Sequence, residues 1–82
     1  MTELVEYLVG ALVPEDEFSV ELREGGDESE IVVIVSPGEI GKVIGKQGKI
    51  ARAIRTLVKA ASARSSERYN VVIEERTDAS EQ

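Results

Sequence analysis

Two glycines three residues apart, Gly45 and Gly48, bracket a lysine and a glutamine, Lys46 and Gln47. They lie within Gly41–Arg55, GKVIGKQGKIARAIR, with apolar Val43 and Ile44 before them and Ile50, Ala51 and Ile54 after. Glycine tolerates positive φ and a close approach of other backbone, so Gly-x-x-Gly between two apolar patterns reads as a tight, open loop. The loop runs straight into a helical pattern, which sets outward-pointing amides at a helix start beside a cation. That combination suits a phosphate. The candidate contacts are Gly45, Lys46, Gln47 and Gly48, with Lys42, Lys49 and Arg52 around them and Ile44 as an apolar neighbour.

Other chemistries fit less well. Gly45-Lys46 has a superficial likeness to a nucleotide phosphate loop, but Ile40 stands where the first glycine of Gly-x-x-x-x-Gly-Lys-[Ser/Thr] belongs, and Gln47 follows the lysine. A helical pattern rather than a strand also precedes the glycines. The chain has no cysteine and no histidine, which excludes a disulfide framework, a thiolate or imidazole metal site, and Ser-His or Cys-His catalysis. Carboxylates are abundant, yet none stands in an apolar context that would raise its pKa for acid–base work. Glu74 and Glu75 read as the solvated end of a strand. The sequence predicts a protein that is not an enzyme and uses no metal or cofactor.

The net charge of the 82 residues is −6, which taken alone argues against nucleic acid. Its distribution argues the other way. Between Ile40 and Ser66 lie seven of the ten basic residues (Lys42, Lys46, Lys49, Arg52, Arg55, Lys59, Arg64) and no acid, a window of +7. The remaining residues carry three basic and sixteen acidic groups, a net charge of −13. Screening acts over about 8–10 Å, so a local basic surface attracts phosphate on a globally acidic protein.

The elements that must position this loop follow from periodicity. Residues 2–13 predict a helix with Thr2 as cap and Val5, Leu8 and Leu12 on its buried side, ended by Pro14. Phe18, Val20 and Leu22 alternate with Ser19, Glu21 and Arg23 as a half-buried strand. Gly25-Gly26-Asp27 supplies a turn, and Ile31–Val35, apolar on both faces, reads as a central strand antiparallel to the first. Ser36 is positioned to cap a short helix from Pro37 to Ile44, along which Ile40, Val43 and Ile44 share one side. A long helix is expected from Lys49 to Arg64, burying Ile50, Ile54, Leu57, Val58 and Ala61, with Arg52, Arg55 and Lys59 nearly opposite. Tyr69, Val71 and Ile73 mark a last strand. Residues 1–76 form one domain and 77–82 a polar tail. Hydrophobic residues make up 41% of the chain with only three aromatics, so the core is aliphatic. The longest apolar run, Ile31–Val35, is far too short for a bilayer, and Glu3 and Glu6 stand where a signal peptide would carry lysine. A cytoplasmic location is expected.

The order is α-β-β-α-α-β, an α+β arrangement with a three-stranded sheet and its helices on one face. With Glu3–Tyr7, Pro37, Gly41–Gly48, Ile50–Thr56 and Val58–Ala61, the chain resembles type II KH domains, and among them the small single-domain bacterial proteins of the KhpA family. The likeness covers roughly Glu3 to Glu75. It implies that the loop grips the backbone of about four nucleotides of single-stranded RNA while bases lie in an adjacent apolar groove. It also implies a role as RNA chaperone or post-transcriptional regulator, and a homodimer or a heterodimer with a larger KH protein of the KhpB (Jag) kind. The competing reading is a protein-interaction module of KH shape with little RNA affinity. Ala53, Ala60 and Ala63 support it, as small residues beside the core stripe of the long helix that let another helix approach.

Overall fold

The computed structural model describes residues 1–77. Five of the six residues expected to form the tail, 78–82, lie outside that range. The elements are α1 (Thr2–Gly10), β1 (Phe18–Arg23), β2 (Ser29–Val35), α2 (Ile40–Ile44), α3 (Lys49–Ser62) and β3 (Tyr69–Glu75), with single 3-10 turns at Glu15–Glu17 and Lys46–Gly48. β2 is central, as its two apolar faces predict. It pairs antiparallel with β1, Phe18 opposite Val35 through Arg23 opposite Glu30, and parallel with β3, Ser29 opposite Tyr69 through Val35 opposite Glu75. The parallel pairing requires a crossover, and α2, the glycine turn and α3 are that crossover.

One sheet face carries Ile31, Val33, Val35 and Val71, and all three helices pack on it through Val5 and Val9, Val43, and Ile54 and Val58. On the far face Val32 is fully buried between Glu21 and Val72, its partners in register. Arg23 and Glu74 make an ion pair there at 3.6 Å.

Several local expectations are corrected. α1 stops at Gly10 rather than residue 13, and the chain winds on through Leu12 N–H to Val9 O and Val13 N–H to Val9 O. Val13 remains buried while Leu12 turns out. Met1, not Thr2, holds the N-cap position, with no side-chain bond. Ser36 does not cap α2, which begins later, at Ile40, after a turn closed by Glu39 N–H to Ser36 O. The Ser36 hydroxyl instead donates to the Glu17 carboxylate, and its amide to the Glu17 carbonyl, clasping the open end of the hairpin.

The buried line of α3 is also rotated from the expected one. Ala51, Ile54, Val58 and Ser62 are buried, Ile50 is half-buried, and Leu57 and Ala61 are exposed. Positions 51, 54, 58 and 62 fall within a narrow arc at about 100° per residue, and 50, 57 and 61 lie roughly 100° round the helix. Hydrophobicity alone favours the line with leucine. The fold selects the line whose ends are small, alanine and serine, because small ends let the helix lie close on the sheet. The buried Ser62 hydroxyl is satisfied by the Lys59 carbonyl at 3.2 Å. Replacing Ile54 by Ala should therefore cost about 2–5 kcal/mol of stability. Leu57→Ala, at a side chain 48% exposed, should cost less than about 0.5 kcal/mol in dilute solution. Urea titration of both variants checks the rotation, and equal losses would contradict it.

Candidate nucleic-acid interface

The four residues from 45 to 48 form a turn with an unusual backbone. Gly45 has φ 76° and ψ 174°, a region open in practice to glycine alone, and Gly48 is left-handed at φ 75° and ψ 16°. Gln47, between them, is also left-handed at φ 58° and ψ 25°, the one non-glycine with positive φ among the described residues. The two glycines serve different ends. A Cβ on Gly45 would overlap Ile50 Cγ1 and lie 3.0 Å from the Ile50 nitrogen, whereas a Cβ on Gly48 would meet nothing within 4 Å. Gly45 answers both to close approach and to dihedral angle, and Gly48 to dihedral angle alone.

The turn accounts for some of its amides and leaves others open. Gly45 N–H bonds Gly41 O at 2.9 Å, Gly48 N–H bonds Gly45 O at 3.2 Å, and Lys49 N–H returns to Lys46 O. The amides of Lys46 and Gln47 have no partner among the described residues. A right-handed residue followed by a left-handed one, as at Lys46 and Gln47, forms the concave amide arrangement that binds anions. Both side chains are exposed. Lys49 and Arg52, in the first turn of α3, are exposed beside them, and Ile44 is 38% exposed at the end of α2. The predicted residues are thus brought into one surface, with one exception in state: Lys42 is held by Glu39 at 2.8 Å and so contributes a neutralised pair rather than a free cation.

Sequence reasoning set Arg55 and Lys59 opposite the core, outside the site. The rotation of α3 brings them instead over the edge of β3. Arg55 Nε–H donates to the Val71 carbonyl at 3.2 Å, a carbonyl on the free edge of that strand. A cleft of about 240 Å³ runs there, lined by Arg52, Arg55, Thr56, Lys59, Tyr69 and Val71. It continues the cationic surface from the turn along α3. Tyr69 is half-buried, and its hydroxyl donates to the Glu67 carboxylate, an interaction that raises the phenol above its ordinary pKa. The signal that could have found this cleft is the cation spacing 52, 55, 59, which follows one helix line once the core line is known.

The comparisons with known proteins agree with this fold. The family model described as KhpA/KhpB, KH domain matches residues 2–73. A Clostridium perfringens protein named RNA-binding protein KhpA is 51% identical over 76 residues, 89% of this chain and 99% of that protein. Its namesake from Caldanaerobacter subterraneus is 49% identical over 75 residues, with the same coverage. The one from Borreliella burgdorferi is 42% identical over 72 residues, 87% of this chain and 88% of that protein.

The unequal demands on the two glycines give a direct check. Gly45→Ala combines dihedral strain with overpacking against Ile50 and should cost roughly 3 kcal/mol or more. Gly48→Ala has strain alone and should cost about 1 kcal/mol. Thermal melts of the two variants should separate in that order, and a Gly48→Ala protein less stable than Gly45→Ala would refute the assignment.

Proposed function

The chain belongs to the KhpA/KhpB family of KH domains, and we propose that it grips the backbone of short single-stranded RNA with the turn at Gly45–Gly48. The observation that carries this reading is the pair of unpartnered amides at Lys46 and Gln47, set beside the Lys46 side chain at the head of an acid-free cationic helix. Backbone amides and a flexible ammonium contact phosphate without reading sequence. Relatives are named as RNA-binding proteins, and sequence-tolerant recognition of single strands by domains of this kind pairs a backbone-gripping loop with an adjacent groove, a place the cleft beyond the turn can fill. Arg52, Arg55 and Lys59 line one wall of that cleft. Tyr69 offers an aromatic edge on the other, next to the outward backbone groups of β3. The cellular role is that of an RNA chaperone or post-transcriptional regulator in the cytoplasm.

A second surface supports assembly beside RNA binding. Ala53, Leu57, Ala60 and Ala61 are exposed along one line of α3, and Leu4 of α1 adjoins it. Small residues with one leucine let a second helix approach closely. This supports a homodimer, or a heterodimer with a KhpB (Jag)-like protein. Single copies gripping few nucleotides bind weakly, and two linked grips gain by effective concentration.

The turn can be tested without disturbing the fold. Aspartate is one of the residues that enter the left-handed region readily, so Lys46→Asp with Gln47→Asp should leave the melting temperature nearly unchanged. The same change sets two negative charges where phosphate binds, and affinity for a labelled single-stranded RNA should fall about tenfold to a hundredfold. Parental binding should weaken with salt at a log–log slope of roughly −1.5 to −2, for two or three phosphates. If the folded double variant binds RNA as the parent does, the turn is not the RNA site and the interaction-module reading stands.

A further inference from the structure

The sheet has two edges, and only one of them faces the cationic helix. Within β1, the Glu17 carbonyl accepts the Ser36 amide at 2.9 Å, so the backbone groups of odd-numbered residues point toward β2. Those of Phe18, Val20 and Leu22 therefore point outward, and no other bond uses them among the described residues. The β1–β2 register runs without a bulge over six residues, and β1 contains no proline. Edge strands usually carry such guards. Alongside this edge lies a cleft of about 500 Å³ between α1 and β1, lined by Glu6, Gly10 and Glu15 on one side and Phe18, Ser19 and Val20 on the other. Leu22, 44% exposed, lies farther along the strand, beyond the cleft.

Charge decides what fits there. Residues 1–30 hold ten acids against a single base, Arg23, a net charge of −9. A second β1 would bring the same −9 and be repelled. RNA is excluded on the same ground. The chain's own +7 window is helical and turned, so it offers no strand. We infer that the free edge of β1 and the acidic α1–β1 cleft form a docking site for an extended, lysine- or arginine-rich segment of a partner protein, added as a fourth strand. Backbone bonds to Phe18, Val20 and Leu22 supply register, and Glu6 and Glu15, which line the cleft, supply the preference for cations.

The test uses the full chain, ¹⁵N-labelled, with a synthetic hexapeptide alternating lysine and valine as probe. Amide shift changes should cluster at Phe18, Val20 and Leu22 and along Glu6 to Glu15. Fluorescence anisotropy with the labelled peptide should show affinity falling about tenfold when alternate peptide nitrogens are methylated, since two or three hydrogen bonds are lost. Leu22→Pro removes an outward N–H without touching the β2 ladder and should weaken the peptide similarly. Glu6→Lys with Glu15→Lys, both at exposed positions, should do so as well while leaving RNA affinity undiminished. The methylated peptide and the lysine variant decide the matter even if Leu22→Pro does not fold. Shifts confined to α3 and the glycine turn, or equal binding by the methylated peptide, would overturn the inference.

Discussion

The missing side chain at residue 45 lets Ile50 come against the backbone of the preceding helix end, and the placement of the whole site depends on that approach. α2 ends in the bond from Gly45 N–H to Gly41 O, and five residues later Ile50 packs on the core cluster. The turn is therefore anchored on its inner side and open on its outer side, where Lys46 and Gln47 stand in solvent. A left-handed glutamine is strained, and such a residue persists only where its surroundings determine it. Here the surroundings are two helices meeting at a fixed angle. Two amides are thereby pointed outward before any ligand arrives, which lowers the ordering cost of binding.

A net charge of −6 coexists with a cationic site because charge is sorted by position. The described residues extend 41 × 26 × 21 Å, several times the screening length of about 8 Å along the long axis. At that scale, distant faces act as nearly independent electrostatic surfaces. The acids of α1, β1 and the hairpin loop thus need not oppose phosphate at the turn, and they disfavour association along the wrong face.

Much of this was legible in the sequence because it rests on short-range rules. Alternation at Phe18–Arg23, the doubly apolar Ile31–Val35 and the glycine spacing at 45 and 48 each specify a local conformation, and the element order follows. The corrections share another cause. Ser36 has the composition of a helix cap, but hairpin register brings Glu17 beside it, a partner far away in sequence. Hydrophobicity favours Leu57 over Ala51 on α3, yet close packing on the sheet prefers the small residue. Arg55 joined the site only through that rotation. Gln47 gave no sign of its left-handed backbone, because glutamine has no preference for it. Lys42 could have been read as paired, since Glu39 precedes it at helical spacing.

α3 shows how few residues such a design takes. Its fourteen residues supply three parallel lines. Ala51, Ile54, Val58 and Ser62 bind the sheet; Arg52, Arg55 and Lys59 lean over the β3 edge; Ala53, Leu57 and Ala60 face outward. At about 100° per residue these lines cannot be exchanged one for another by local change. Moving the core line by one residue toward the C-terminus would bury Arg52, Arg55 and Lys59 and expose Ile54. The cationic line adjoins the core line because arginine can run its aliphatic stem along apolar surface while its head reaches a strand-edge carbonyl. The small-residue line is left on the remaining side, away from the cleft. A dimer built on that line would border Lys49 and Arg52 but leave Arg55 and Lys59, on the side of the helix that faces β3, uncovered. If the turn grips RNA as proposed, such a dimer would add a second grip without masking the first, and the two uses of this helix would reinforce each other rather than compete.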